Sequence, residues 1–390
     1  MQTQVAVIGG GPAGLLLSQI LHLNGIDNIV LERRSREYVL SRIRAGVLES
    51  GTVSMLERAK VADRMHKESN THSGFVIAFR GETVRIGLEE LTNGKVVTIY
   101  GQTEITRDLY EAREAMGGVV IDEADNVQLH GLDTDKPTVT FDKNDESQTV
   151  QCDFVAGCDG FHGVSRTMIP ADIVKTFELV YPFGWLGVLS KTPPVSHEVI
   201  YVAHERGFAL CSMRSETLSR YYLQCPVDDD LVDWPDDRFW TEFKSRLPTD
   251  VAERLITGPS IEKSIAPLRS FVCEPMAWKR LFLAGDAGHI VPPTGAKGLN
   301  LASSDVHYLS RAFINFYKDG DTDGLDNYSA IALQRVWKAE RFSWWMTKFL
   351  NDFPDSSEFD NRMRQADFDY LKSSPVAQKS LAENYVGVPY

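Results

Sequence analysis

The sequence is poor in cysteine, and the cysteines that it has do not form a recognisable pattern. The 390 residues contain five, with no C-x-x-C pair: Cys152, Cys158, Cys211, Cys225 and Cys273. An odd number without paired spacing favours neither a disulfide framework nor a zinc site, and no other metal site is predicted. Free thiols are typical of a reducing compartment, so we expect a cytoplasmic protein.

Long apolar segments and an excess of positive charge are also missing. No apolar stretch approaches the roughly 18 residues needed to span a bilayer, and neither the basic nor the apolar region of a signal peptide precedes the first strand-like segment. Lys and Arg number 41 against 54 Asp and Glu, which gives a formal charge of −13. That sign excludes a protein whose whole surface binds nucleic acid. We therefore expect a soluble, unexported protein without membrane or nucleic-acid partners.

The chain is long enough for more than one domain. At about 150 residues per domain, its 390 residues predict two lobes or one large α/β domain with an insertion. Apolar residues make up 43% and charged residues 24%, values typical of globular proteins.

The N-terminal region has the pattern strand, glycine turn and helix. The apolar run Val5–Ile8 precedes Gly9, Gly11 and Gly14, which fit G-x-G-x-x-G, and a leucine-rich segment follows. A second apolar run ends at Glu32, 18 residues after Gly14. Glycine lets a pyrophosphate approach the helix N-terminus, and the carboxylate accepts hydrogen bonds from ribose hydroxyls. The pattern predicts a Rossmann-like dinucleotide site, and Glu rather than Arg favours FAD or NAD.

Arginines cluster after this carboxylate although the protein is acidic. They are Arg33, Arg34, Arg36, Arg42 and Arg44. Such clustering is unfavourable unless anions neutralise it, which predicts contact with a second, phosphorylated nucleotide. The alternative is an exposed basic loop.

Two further strand-like segments end in carboxylates, at Asp159 and at Asp286. Together with the glycine turn, they resemble the FAD-dependent aromatic hydroxylase family. The resemblance extends from Val5 nearly to the last residue, through Arg42–Glu49, Tyr100–Thr103, Gly157–Gly163, Tyr181–Gly187, Gly285–Asn300 and Ala382–Gly387.

The resemblance implies an α/β fold in which a Rossmann-like FAD-binding domain is interleaved with a β-rich substrate domain and completed by a helical C-terminal segment. The implied bounds are 1–174, with an insertion at about 70–100, then 175–275 and 276–390. FAD would be held by Gly9, Gly11, Ala13, Gly14, Glu32, Arg42, Arg44, Val47, Gln102, Asp159, Asp286, Lys297, Gly298, Leu299 and Asn300. The family often has serine where this chain has Ala13, so one hydroxyl contact to pyrophosphate is missing.

A hairpin is predicted within the β-rich region. With its turn centred on Thr217, Arg214 faces Arg220. Ser212 then faces Tyr222, and all four lie on one face because side chains alternate along a strand. Two facing arginines repel, so we expect an anion beside them, with the hydroxyls completing a carboxylate site. The alternative is a solvated basic hairpin.

The resemblance also assigns roles in the reaction. It implies substrate binding by Tyr201, Ser212, Arg214, Tyr222, Pro293 and Thr294, with Arg220 on the flavin side. A proton relay would start at Tyr201, continue through Tyr385 and have its outer end at His72. The relay removes the proton of the substrate hydroxyl, because a phenolate activates the adjacent ring carbon. Without the resemblance, these three residues would be interpreted as core aromatics and a surface histidine.

The implied reaction converts 4-hydroxybenzoate to 3,4-dihydroxybenzoate with NADPH and O2, through a flavin C4a-hydroperoxide. NADPH would lie beside Arg33, Tyr38, Arg42, Arg44, His162 and Arg269. The family also implies a homodimer. Aromatic residues at helical spacing are interpreted as packing or as a dimer surface: Trp337, Phe342, Trp344, Trp345 and Phe349.

Three other functions fit parts of the pattern. One is a related hydroxylase of another benzoate, such as 4-aminobenzoate or 3-hydroxybenzoate, which a substrate panel separates. A second is a flavoprotein that binds a ligand as a redox sensor without turnover, which the absence of NADPH consumption would support. A plain NAD dehydrogenase is the third, and a yellow purified protein would exclude it.

Overall fold

The computed structural model describes residues 1–42 and 46–390. Its strands are β1 (Val5–Ile8), β2 (Asn28–Leu31), β3 (Val47–Leu48), β4 (Asn70–His72), β5 (Gly74–Phe79), β6 (Glu82–Gly87), β7 (Val97–Ile99), β8 (Val119–Ile121), β9 (Asp125–His130), β10 (Thr138–Lys143), β11 (Glu146–Gln151), β12 (Phe154–Gly157), β13 (Lys175–Ser190), β14 (Val199–Ala203), β15 (Ala209–Ser215), β16 (Leu218–Cys225), β17 (Ser260–Glu274), β18 (Ala277–Trp278), β19 (Leu281–Leu283) and β20 (His289–Ile290). Its α-helices are α1 (Pro12–Leu23), α2 (Arg36–Ser41), α3 (Ser50–Arg58), α4 (Asp63–Glu68), α5 (Leu88–Leu91), α6 (Gln102–Ala115), α7 (Asp236–Arg246), α8 (Thr249–Arg254), α9 (Gly298–Asp319), α10 (Asp323–Asp326), α11 (Tyr328–Leu350), α12 (Glu358–Ser373) and α13 (Pro375–Val386).

A six-stranded sheet in the order β18-β19-β12-β1-β2-β8 forms the nucleotide-binding half. β1 pairs in parallel with β2 and β12, and β12 pairs in parallel with β19. The carboxyl ends of these four strands therefore meet at one edge, where ligands bind in open α/β sheets. Leu15, Leu17 and Ile20 of α1 are fully buried, and each contributes about 1.5–3 kcal/mol of burial free energy. The predicted Rossmann-like arrangement is confirmed.

An eight-stranded sheet in the order β20-β17-β13-β16-β15-β14-β5-β6 forms the second half. The segment predicted as an insertion contributes β5 and β6, and β5 pairs in parallel with β14. Alternate residues of β14 enter two different cores, as a period of two requires. Tyr201 packs in the core that contains the C-terminal helices, whereas Ile200 and Val202 pack against α7 and α8. This alternation points Tyr201 toward α13. The domain bounds themselves stay a prediction.

The hairpin of β15 and β16 forms, but the predicted register is wrong. Ser212 pairs with Arg220 and Leu210 pairs with Tyr222. The strands continue to a Ser215–Leu218 pair around a two-residue link, and the register shifts at Arg214. Together these features shift the pairing of the two strands by two residues. Each side chain then has a different cross-strand partner but stays on the same face of the sheet.

The helical C-terminal segment is confirmed, and its aromatic residues divide between core and surface. Phe342 and Phe349 of α11 are buried in the core that also contains Tyr385. Trp337 and Trp344 are 40% and 42% exposed. Within residues 1–42 and 46–390, no helix is long and apolar enough to cross a membrane, and no cluster of His, Cys, Asp and Glu could hold a metal ion.

Candidate functional site

The three glycines of the N-terminal turn have different roles. Gly9 has a positive φ of +106°, and a Cβ there would lie 2.3 Å from the carbonyl oxygen of Cys158. A Cβ on Gly14 would lie 2.0 Å from the carbonyl oxygen of Gly9. A Cβ on Gly11 would meet no protein atom within 4 Å. The fold itself therefore requires Gly9 and Gly14. At Gly11, the missing side chain leaves a space that no protein atom fills and that a ligand can occupy.

This space lies at the N-terminus of α1. Gly11 is the N-cap residue, and no side chain caps this end of the helix. The N–H groups of the first turn are therefore available to an anion. The Glu32 carboxylate at the end of β2 is held in place by the N–H groups of Gly10, at 2.6 Å, and Arg34, at 2.7 Å. An uncapped helix N-terminus, an open cradle and a fixed carboxylate fit the pyrophosphate and ribose of FAD.

The two glycines allow a matched test of this interpretation. In Gly11→Ala, we expect normal folding but a dissociation constant for FAD raised about tenfold or more, since a displaced hydrogen bond to a charged group is worth about 1.5–3 kcal/mol. In Gly14→Ala, we expect loss of about 1–3 kcal/mol of folding stability, because the new methyl group overlaps backbone. Thermal unfolding of the FAD-free protein and FAD titration separate the two effects. Equal FAD affinity in Gly11→Ala and wild type would contradict a pyrophosphate site there.

The two aspartates at the sheet edge differ in availability. Asp159 accepts two hydrogen bonds through Oδ2, from the N–H and the hydroxyl of Ser165, both at 2.9 Å. Burial raises the pKa of Asp159, although these hydrogen bonds lower it. Asp286 is exposed in the turn that follows β19. A Cβ on the preceding Gly285 would lie 3.5 Å from Cβ of Ala13, so the Asp286 turn adjoins the first turn of α1. Asp159 closes a turn, and Asp286 is the carboxylate available to a ligand.

The Asn300 side chain, predicted to hold FAD, is fully hydrogen-bonded within the protein. Its amide donates to the carbonyl oxygens of Val47, at 2.9 Å, and Ala296, at 2.8 Å. Its oxygen accepts from the N–H of Glu49 and the hydroxyl of Thr52. Asn300 therefore fixes β3 and the start of α3 against α9.

The Lys297 side chain is similarly occupied. Its ammonium group donates to Glu49 at 2.6 Å and to the carbonyl oxygens of Asn384 and Tyr385. These three contacts use all of its N–H donors. Glu49 also accepts from Arg335 at 2.9 Å. Burial lowers the pKa of Lys297, and Glu49 opposes that change.

What the start of α9 offers a ligand is therefore its backbone. The helix begins at Gly298 and has no side-chain cap, so the N–H groups of Gly298 and Leu299 and the positive end of the helix dipole are available. Sequence reasoning missed Glu49 and Arg335, since nothing in their spacing relates them to Lys297.

The other predicted nucleotide residues fall into separate places. Val47 lies on β3, which pairs with β7, and Gln102 starts α6 three residues after β7. The residues predicted for NADPH are exposed or partly exposed and form two groups. The first group follows β2 and consists of Arg33, Tyr38 and Arg42, and the Arg42 guanidinium lies 5.8 Å from the centre of the Tyr38 ring. The second group consists of His162 and Arg269, which both contact Phe161. Arg44 lies outside the described residues.

The two arginines of the hairpin differ in their partners. Arg220 is 5% exposed and donates to Glu262 of β17 at 2.9 Å. Burial alone lowers the pKa of Arg220, but Tyr222 and Glu262 reverse this and raise it. Arg214 lies close to Tyr222 and Arg220. Burial lowers the pKa of Arg214, Tyr222 opposes that change, and the repulsion from Arg220 adds to it. No ion pair in the described part of the chain includes Arg214. Arg214 is thus the guanidinium available for an external carboxylate.

Tyr201 and Tyr385 meet at a buried hydrogen bond, with hydroxyl oxygens 2.9 Å apart. Each residue is 3% exposed, and Phe75 stacks on Tyr385 at 4.2 Å between ring centres. Burial raises the pKa of Tyr385 to about 12 and that of Tyr201 well above its usual value near 10. Both phenols are therefore neutral at physiological pH, and they can pass a proton only through a shared hydrogen bond.

Two more predicted substrate residues lie at the start of the α9 region. Pro293 is exposed, and Thr294 is fully buried with its hydroxyl 2.8 Å from that of Thr347. The Thr294 hydroxyl is thus engaged by α11.

His72 is buried, not a surface residue. It is 1% exposed at the end of β4, and neither ring nitrogen has a hydrogen-bond partner among the described residues. Burial, followed by the nearby His197, lowers its pKa to about 4. The ring is therefore neutral at physiological pH.

Known proteins resemble this chain over most or all of its length. The sequence profile of the FAD binding domain family matches residues 2–343. The chain is 57% identical to p-hydroxybenzoate hydroxylase of Acinetobacter baylyi, over 100% of this chain and 96% of that protein. It is 25% identical to rifampicin monooxygenase of Streptomyces venezuelae, over 78% of this chain and 62% of that protein. The crystal structure of p-nitrophenol 4-monooxygenase from Pseudomonas putida has a TM-score of 0.85 at 20% identity, covers 100% of both chains, and supports the fold alone.

Proposed function

The chain belongs to the FAD binding domain family of flavin-dependent aromatic hydroxylases, and from this premise we propose that it hydroxylates 4-hydroxybenzoate to 3,4-dihydroxybenzoate with NADPH and O2. It is an FAD-dependent monooxygenase. The proposal for the substrate is supported by the relative with 57% identity and by two features of the substrate half, the Arg214 guanidinium and the hydrogen-bonded pair of Tyr201 and Tyr385.

The observation that carries the proposal is that Tyr201 and the hairpin residues beside Arg214 share one face of the sheet. Tyr201 pairs with Leu210, and Leu210 pairs with Tyr222, so the three residues form one row on the same face of the sheet. Arg214 follows Leu210 by four residues on β15 and lies close to Tyr222, so a guanidinium that can bind a carboxylate and the relay tyrosine border one face of the sheet. A para-hydroxy acid presents its carboxylate and its hydroxyl from opposite ends of the ring, as two separate binding groups require. A meta arrangement brings the two groups closer together.

The protein's own residues bind the substrate and move its proton. Arg214 and the Ser212 hydroxyl fix the carboxylate, and Tyr201 accepts a hydrogen bond from the 4-hydroxyl and takes up its proton as Tyr385 receives the next. Burial of both tyrosines excludes water from this end of the site. Glu32, Asp286 and the N-terminal turns of α1 and α9 would hold FAD, which when bound accepts hydride from NADPH and activates O2 for transfer of one oxygen atom.

A substrate panel tests this assignment. NADPH oxidation and hydroxylated product are measured with 4-hydroxybenzoate, 3-hydroxybenzoate and 4-aminobenzoate at equal concentration. The para-hydroxyl acid is expected to give the highest product yield. A higher yield with either other acid would move the chain to the related-hydroxylase alternative, and binding without NADPH consumption would favour a sensor.

We also propose a cytoplasmic homodimer. The five buried, free cysteines support a reducing compartment. Helix α12 has an exposed apolar stripe spaced by four, three and four residues: Phe359, Met363, Ala366 and Tyr370. The stripe is symmetric about its centre, so antiparallel packing on a second copy places Phe359 against Tyr370 of the partner subunit and Arg362 near Asp369 of the partner subunit.

Met363→Glu is expected to give a monomer by sedimentation velocity. A wild-type monomer at micromolar concentration would contradict the dimer.

A further inference from the structure

The outer end of the proton relay is sealed from solvent at His72. The ring is 1% exposed, and within residues 1–42 and 46–390 both of its buried nitrogens are without a hydrogen-bond partner. A proton that reaches this ring cannot pass directly to water. The relay therefore needs one more group between His72 and the surface.

The parallel pairing of β14 with β5 places His197 beside this ring. Val199 of β14 pairs in parallel with Phe75 of β5, so the residues that precede these two strands lie next to each other. The centres of the His72 and His197 rings are 5.4 Å apart, with the ring planes tilted by 56°. Unlike His72, His197 is exposed.

The charged groups around the two rings are paired with one another and hold the segment before β14 in place. His197 is therefore the group beside His72 that we expect to carry the proton. Glu198 accepts two hydrogen bonds from the Arg85 guanidinium, at 2.9 and 2.8 Å, and one from the Ser73 hydroxyl at 3.4 Å. Arg85 also contacts Glu90 at 3.3 Å. The Glu198 carboxylate is therefore neutralised, and its contacts hold the adjacent His197 against His72.

We propose that His197 exchanges the relay's proton with solvent, an inference that rests on the function proposed above. The proton leaves the 4-hydroxyl of the bound aromatic acid and passes through Tyr201 and Tyr385 to His72. It then passes to His197 and to bulk water. Since no hydrogen bond of the described residues reaches either nitrogen of His72, the transfers to and from this ring run through bridging water molecules. His197 touches neither substrate nor flavin and acts through His72.

The pKa of His72 fits this step. Burial, followed by the nearby His197, lowers the pKa of His72 to about 4, and Glu198 opposes that change, so His72 does not store a proton at neutral pH. A carrier of this kind passes the proton on quickly when a second base is adjacent.

Stopped-flow mixing of the FAD-loaded enzyme with 4-hydroxybenzoate in a weakly buffered pH indicator tests the proposal. The measured quantity is the rate of proton release to solvent. In His197→Gln, we expect release slowed about tenfold or more, with FAD content and substrate affinity unchanged. Added imidazole is expected to restore the rate, because the position is exposed.

Two variants serve as controls. His66→Gln removes another exposed histidine, on α4, whose side chain is 53% exposed, and it should release protons at the wild-type rate. His72→Asn should be slow without rescue by imidazole, because that site is closed to solvent. Wild-type release in His197→Gln, or slow release that imidazole does not restore, would overturn His197 as the exit. Binding to the wild-type enzyme with no proton release at all would instead overturn the proposed function and, with it, this inference.

Discussion

Replacing Tyr201 with phenylalanine is expected to separate NADPH oxidation from hydroxylation. The Tyr201 hydroxyl hydrogen-bonds to that of Tyr385, and the rest of its ring packs in the core of the substrate half. Phenylalanine keeps that packing but cannot take the proton of the substrate. General acid–base catalysis contributes about 10²–10⁴-fold, so we expect product per NADPH to fall at least tenfold while substrate-stimulated NADPH oxidation continues and hydrogen peroxide rises.

Tyr221→Phe is the matched control for this prediction. Tyr221 is fully buried on β16, and its side chain packs with Trp240 and Phe243 in the core on the opposite side of the sheet. Both variants lose one buried hydroxyl and leave the ring in place. Only the Tyr201 variant should lose coupling. If product per NADPH is unchanged in Tyr201→Phe, the relay does not start at this residue.

Arg214→Lys is expected to weaken binding of 4-hydroxybenzoate strongly although the positive charge is retained. Arginine offers a planar fork that matches a carboxylate, and lysine offers a point charge on a flexible stem. Loss of one hydrogen bond to a charged group costs about 1.5–3 kcal/mol, or about 10- to 150-fold in the dissociation constant. Titration of the flavin absorbance with substrate measures the change.

Two comparisons make this prediction specific. Arg206→Lys alters an exposed arginine that pairs with Glu242 at the other side of the substrate half, and it should bind substrate normally. The uncharged 4-hydroxybenzamide should lose much less affinity than 4-hydroxybenzoate in Arg214→Lys. A wild-type dissociation constant for the acid in Arg214→Lys would place its carboxylate elsewhere.

The features that the sequence predicts correctly are encoded over short distances. The turn around Gly9 and Gly14, the helix after it and the carboxylate at Glu32 depend on residues close in the chain, and each has a known geometry. The strands before Asp159 and Asp286 are likewise local apolar runs. Because these strands pair in parallel, their carboxyl ends lie at the same edge of the sheet.

The features that the sequence predicts wrongly, or does not predict, depend on distant partners. The register of the hairpin is set by a two-residue link and an irregularity at Arg214, which polar composition does not reveal. The partner of Arg220 is Glu262, on a strand 42 residues away. His72 is buried beside His197, from a distant segment of the chain.

The side chains of Lys297 and Asn300 show the same limit at the predicted flavin site. Their position at the start of a helix is readable from sequence, and the helix forms there. Their hydrogen bonds to Glu49, Val47 and Thr52 join segments about 250 residues apart in the chain. Sequence spacing therefore locates the N-terminus of α9 but cannot tell whether its side chains or its backbone face the ligand.

The most direct test of the account is NADPH oxidation by the purified yellow protein with and without 4-hydroxybenzoate, with 3,4-dihydroxybenzoate and hydrogen peroxide measured in the same tube. We expect strong stimulation by the acid and nearly one product molecule per NADPH, because substrate binding at Arg214 and proton removal through Tyr201 occur together. No stimulation would contradict the hairpin as the substrate site. Stimulation that yields mainly hydrogen peroxide would contradict 4-hydroxybenzoate as the substrate.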